Sequence, residues 1–590
     1  MAEALISPGV FLRENDQSQI TAGPITVGSA LIGPTVIGRQ NIPTLVTSYS
    51  QYKAKFGTTF VSGGTTWEYL TSQAAQNYFQ QGGTSLLVTR VASGSYTAAT
   101  SSIIPNNAGG SGAFQLETIS VGTVMNNDAS SSAALTSNGI LPSGSANNIR
   151  WQITNVDTGS GYFTLIIRQG NDYTNGQTVL ETWSNLSLDP NQNNYIAYVI
   201  GDQKQQILTD ESGQAYLQIS GSYPNASNYV RVSNVYTPTP TYLNPKGQAY
   251  TYYTASIPVN GSGSYNGSFG GAAGYLYGCF GQAPLNLYES IPVVASVTSN
   301  TATNIQGVFA SDYDTAINLL GNQDAYAYNA IYTPGLTNQN GASQVTALLA
   351  SSENRGDNIA VVDLVGYNQS ITTVSTAAQT YDSSYGATYW PWVQVRSAET
   401  GKLHFVPAST IIPGVYEYND KVSAEWFAPA GLNRGGLPTV IQPERRLTVA
   451  QRNTLYSAKV NPIAVFPGQG TVVYGQKTLQ AQASALDRVN VRRLLIALKG
   501  YIGQIAQTLV FEQNTAVTRN KFLSQVNPYL EYVQQRQGLY SFRVVMDETN
   551  NTPDVIDRNL LVGAIYLQPT RTAEFIQLDF NILPTGVTFG

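Results

Sequence analysis

Gly470-Thr471-Val472-Val473-Tyr474-Gly475-Gln476-Lys477-Thr478 carries the glycines, lysine and hydroxyl of a phosphate-cradling loop. Gln476 separates the second glycine from the lysine, so the Gly-Lys-Ser/Thr register that aims an ammonium at phosphate is broken. Gly475 reads instead as a turn after a strand. Carboxylate pairs of the kind that hydrolyse glycosides, Asp312 with Asp314 and Asp547 with Glu548, come without a pocket signature. Any nucleophilic triad would have to use His404, the single histidine, and no Gly-x-Ser-x-Gly elbow accompanies it. Cys279 is the single cysteine, which excludes internal disulfides and, with one histidine, Cys-cluster and paired-His metal sites. Both residues read as structural, and neither an enzyme nor a cofactor follows from them.

The remaining charged cluster is basic and lies on a helical pattern. Val491, Leu494, Leu495, Leu498, Ile502, Ile505 and Leu509 recur at intervals of three and four, the apolar stripe of a core-facing helix. Arg488, Arg492, Arg493 and Lys499 sit mostly off that stripe. Their default reading is the solvated side of the helix. The alternative is contact with an acidic partner, with Arg as a bidentate donor to carboxylates.

Other elements must position these residues. Length predicts three or four domains in 590 residues. Charged residues are 11% of the chain against a usual figure of about 25%. A surface of neutral hydrogen-bonding side chains and tyrosine suits extensive contact between subunits, and equally a secreted all-β protein. A formal net charge of −5 argues against a primary nucleic-acid role. Met1–Val10 lacks the pattern of a signal peptide, and no apolar run approaches the roughly 18 residues of a membrane span. A soluble chain made in the cytoplasm is expected.

Residues 1–20 read as an extended arm in which Val10, Phe11 and Leu12 can pair as a short strand. Trp67, Leu70, Ala74, Tyr78 and Phe79 predict a helix that Gly82-Gly83 ends, followed by a strand over 86–91. From 94 to 300 the chain is rich in Gly, Ser, Asn and Tyr with short strands such as 163–167, and reads as one or two β-rich insertions. Ile359-Ala360-Val361-Val362-Asp363-Leu364 predicts a buried strand. Ile576, Leu578, Phe580 and Ile582 alternate with polar residues, so a half-buried strand closes the chain. A terminal strand is readily lent to a neighbour's sheet. The expected fold is α+β and multidomain: an α/β core from 21–93 and 301–570, interrupted by the insertions of 94–300, with arms at 1–20 and 571–590.

Several stretches together resemble the tail sheath proteins of contractile-tailed bacteriophages. They are Ser7-Pro8-Gly9-Val10, Tyr78–Gly83 with Leu87–Val91, Trp426–Gly435, Val460-Asn461-Pro462, Tyr474–Thr478, Asp487–Leu494, Phe511–Asn514 and Asn550–Asn559. The likeness covers about 70 N-terminal and about 200 C-terminal residues. The insertions match only around Asn185–Pro190.

That resemblance implies a structural, non-enzymatic subunit without cofactors, located in the virion tail and assembled in the host cytoplasm. Its implied partners are further copies in six-membered, helically stacked rings, the tail tube, the baseplate and the tail terminator, with neither nucleic acid nor membrane insertion. Strand exchange is expected of Val10, Phe11, Leu12, Ile576, Leu578 and Phe580, and tube contact of Arg492, Arg493 and Lys499. On the residues alone, a virion-associated glycan hydrolase, an adhesin and the sheath of a phage-derived device stay open.

Overall fold

The computed structural model describes residues 26–574, except 63–64, 93–97, 102–103, 105, 108–111, 123–146, 173–174, 262–305 and 307. Val10–Leu12, Ile576–Ile582 and Cys279 lie outside the described residues. An eight-stranded sheet draws on two separated stretches of chain. β1 (Thr26–Gly33), β2 (Thr44–Val46) and β3 (Leu86–Arg90) come from the first. β4 (Ala327–Thr337), β5 (Ile359–Asp363), β6 (Gly386–Trp390), β7 (Asn461–Phe466) and β8 (Gly470–Val473) come from the second. The spatial order is β2-β3-β1-β4-β5-β6-β7-β8, six parallel strands between two antiparallel edges. Thr26 pairs with Ala327 and Leu31 with Tyr332, so the two stretches meet inside the sheet.

Both faces of this sheet are covered, which is why its strands read as continuous apolar runs. Strand alternation sends Ala360 and Val362 of β5 to one side and Ile359 and Val361 to the other. Helices Tyr313–Leu320, Asn338–Arg355 and Ile371–Gln379 pack on the first side. Helices Tyr49–Phe56, Leu70–Gln80 and Ile412–Val422 pack on the second. The helix expected from Trp67 starts at Leu70, because Trp67 sits in a strand, Thr65–Glu68, paired with Thr59–Ser62. Beyond its end Gly82 takes a left-handed φ of +99°, and the Gly83 N–H donates to the Tyr78 carbonyl.

Between β3 and β4 the described strands form small antiparallel sheets around another apolar cluster, with Phe114, Trp151, Phe163, Leu165 and Leu186 at its centre. After β8, helices Val489–Gln507 and Ala516–Gln535 and the hairpin of β9 (Leu539–Val545) and β10 (Ala564–Pro569) enclose a further core. Leu494, Leu498, Phe522, Val526 and Leu530 fill it, and Trp426 reaches in from the preceding segment. The chain is thus a mixed helix and strand protein with several sheets. Among the described residues no helix is long and apolar enough to cross a membrane.

Candidate assembly interface

Helix Val489–Gln507 joins the central sheet to the C-terminal core. Its first turns are buried on every side, with Val489 packing toward the sheet and Leu494 toward the C-terminal cluster. This overturns the solvated reading of Arg492 and Arg493, both of which are buried. Arg493 makes a two-pronged pair with Asp420, at 2.9 and 2.5 Å, and lies 4.7 Å over the Tyr416 ring. Arg492 stacks 3.9 Å over Tyr385 and donates to Ser384 Oγ at 2.5 Å. Lys499 is exposed, and its ammonium donates to the Tyr385 hydroxyl at 3.1 Å. Of the three candidate tube contacts, the structure engages both arginines within the subunit and leaves Lys499 at the surface.

Arg493 sits among an excess of acid. Asp420, Glu417 and Glu425 all act on it or on one another. Burial, then Asp420, pushes the Glu417 carboxyl up to about 7, and its Oε1 has no hydrogen-bond partner. Glu425 is also raised, by burial first.

Arg488, just before the helix, lashes down the segment that leads to the C-terminus. Its Nε donates to Glu574 Oε1 at 2.7 Å, and the Tyr456 hydroxyl and Gln476 Nε2 donate to the same carboxylate at 2.8 and 3.1 Å. Gln476 also donates to Thr572 Oγ1 at 2.6 Å. Residues 570–574 therefore leave β10 and cross to the central unit along a fixed track. Sequence reading missed this network because Glu574 falls outside every motif.

The hairpin β9–β10 offers a different kind of surface. Neither strand has another strand partner among the described residues, so neither outer edge is continued by a further strand there. Tyr540 and Tyr566 are exposed on it, and two strands alone are marginal without packing or added strands. The helix Ala516–Gln535 supplies the packing on one side.

Most of the catalytic candidates are engaged elsewhere. Gly470–Val473 is an edge strand, and no helix starts directly at Lys477–Thr478 to present N–H groups to phosphate. Gly475 is needed for close approach, since a Cβ there would meet Pro462 Cδ at 2.9 Å. Asp312 accepts from the Phe309 N–H, Asp314 from Gln344, and Asp547 from the Thr549 N–H. His404 is buried within a strand, and burial followed by Lys402 pushes its pKa down to about 4.

Residues 306–479 match the model of the phage tail sheath protein central domain, and residues 481–582 that of the phage tail sheath C-terminal domain. The chain is 34% identical over 356 residues to the tail sheath protein of Vibrio phage KVP40, covering 59% of this chain and 51% of that protein. It is 42% identical over 185 residues to the tail sheath protein of Enterobacteria phage T4, covering 31% of this chain and 28% of that protein. The chain thus spans about half of the first relative and less of the second. The crystal structure of a sheath tail protein from Listeria innocua aligns over 89% of each chain with a TM-score of 0.50 and 10% identity, a likeness of fold alone. Residues 306–479 and 481–582 are thus similar to the central and C-terminal domains of phage tail sheath proteins.

Proposed function

We propose that this protein is a structural subunit of a contractile tail sheath, stacking as six-membered rings around a tail tube and contracting to drive the tube through a host envelope. The role is mechanical, with no substrate and no cofactor. The observation that carries it is the hairpin β9–β10, continued at neither edge by a further described strand, beside the segment lashed down at Glu574. A strand from a neighbouring copy completes such an edge with main-chain hydrogen bonds. Val10, Phe11 and Leu12 of one neighbour, and Ile576, Leu578 and Phe580 of another, are the proposed donors. Arms that stay paired while bodies rotate let a lattice widen without falling apart.

In this reading the β-rich stretch of 94–300 lies on the outer surface, where bulk is tolerated. Lys499 is the proposed tube contact, with Arg492 and Arg493 holding its helix in place. Baseplate and terminator proteins bound the two ends of the assembled virion sheath.

Deleting residues 1–15 tests the arms. The truncated protein should keep its circular dichroism spectrum and sediment as a monomer, whereas the full chain forms striated tubes in negative-stain electron microscopy. Normal tubes from the truncated chain would overturn the arm model.

A further inference from the structure

A polar cleft of about 610 Å³ lies where the loop after β1 meets the described strands between β3 and β4. Arg39, Arg231, Lys204, Gln40, Gln203 and Gln206 line it. A smaller cavity of about 150 Å³ adjoins it, shares Arg39, and adds Lys55 and Tyr229.

The charges here are unbalanced in one place. Arg231 is paired with Glu117 at 2.6 Å. Arg39 is mostly buried, and its one hydrogen-bond partner among the described residues is the neutral amide oxygen of Gln205. Burial, and after it the neighbouring Arg231, push Arg39 down to about 10. Lys55 is lowered in turn, by burial first and by Arg39 second. A guanidinium desolvated beside like charges, while the carboxylate lining the cleft, Glu117, is taken up by Arg231, is a cost that an incoming anion removes. The side-chain amides around it are donors and acceptors at once, the chemistry that matches sugar hydroxyls.

We propose that this cleft binds an anionic saccharide, its carboxylate or phosphate group on Arg39 and its hydroxyls on the glutamine amides. The guanidinium fork fits either group, and the surrounding amides distinguish a sugar acid from a bare anion.

Isothermal titration calorimetry of the full chain tests this with trigalacturonate and glucose 6-phosphate, which separate the carboxylate and phosphate sources. Methyl-esterified trigalacturonate and inorganic phosphate serve as controls. At least one anionic sugar should bind saturably, and its uncharged counterpart or bare phosphate about tenfold or more weaker, as loss of a charge-assisted hydrogen bond implies. R39Q should abolish binding. K204Q, on an exposed strand, should weaken binding with the fold intact, and keeps the test meaningful if R39Q misfolds. Inorganic phosphate binding as tightly as the sugars would overturn the proposal, as would no titration with any probe. Loss of tube formation in a folded R39Q without saccharide binding to the wild type would also overturn it, assigning the cleft to an acidic group of a neighbouring copy.

Discussion

Glu417 is a residue whose protonation is tied to the packing of several elements. Tyr78 from helix Leu70–Gln80, Asp420 from its own helix, Glu425 beyond it and Arg493 from the long C-terminal helix all bear on its carboxyl. A folded pKa of about 7 against an ordinary 4.5 means that the native state holds the proton more firmly than the unfolded chain does. Stability from this group is fully present below pH 4.5 and is lost as pH rises to about 7. Replacing Glu417 with Gln keeps the neutral form at every pH. The variant should therefore exceed the wild type in stability at pH 8 by on the order of 3 kcal/mol, a gap that closes near pH 4.5. Asp363, raised to about 6, runs in the same direction, and His404, lowered to about 4, runs in the opposite one. Urea unfolding of both proteins across this range isolates Glu417 by difference, and an unchanging gap would refute the assignment.

Helix Val489–Gln507 is the element that couples the central sheet to the C-terminal core, and its docking rests on arginines rather than on its apolar stripe alone. Removing one partner of a buried pair leaves the other charge uncompensated, typically at about 3–5 kcal/mol. Arg493→Met should therefore loosen the helix by about 3 kcal/mol, toward the low end because Asp420 retains some solvent contact. Hydrogen exchange along 489–507 reports this, and protection equal to the wild type would show the pair to be dispensable. The helix and its stripe were legible in the sequence, as was β5, because periodicity is a local property. The burial of Arg492 and Arg493 was not legible. Their partners Ser384 and Asp420 stand 108 and 73 residues upstream, and nothing in a basic helix face distinguishes solvent from a tyrosine ring. The strand assignment of Trp67 was missed for a related reason. Its spacing fits the helix that follows, while its pairing with Phe60 depends on a hairpin whose strands are only four residues long. Of the candidate site, the lash on Glu574 was invisible because its partners Arg488 and Tyr456 stand 86 and 118 residues upstream, and the open hairpin edges because they depend on which strands have neighbours.

At the scale of the molecule, three apolar regions divide the work. The central sheet is a closed, doubly covered slab, the strands between β3 and β4 gather around their own cluster, and the C-terminal core meets the slab along one helix and the Arg488–Glu574 network. A rigid slab with surfaces attached at separate places suits a subunit that must hold its shape while its contacts rearrange. The meeting of β1 with β4 also sets a timetable. β2, β3 and β1 can pair as soon as they leave the ribosome, but the free edge of β1 waits for Ala327 to arrive. At about 5–20 residues per second that wait lasts on the order of ten seconds to a minute. Throughout it, a bare strand edge is open to pairing with another nascent chain. Chains released at residue 300 should aggregate, and chains released past β7 should not, as fractionation of stalled translation products would reveal. The order in which the protein is made thus exposes the joint on which its core depends.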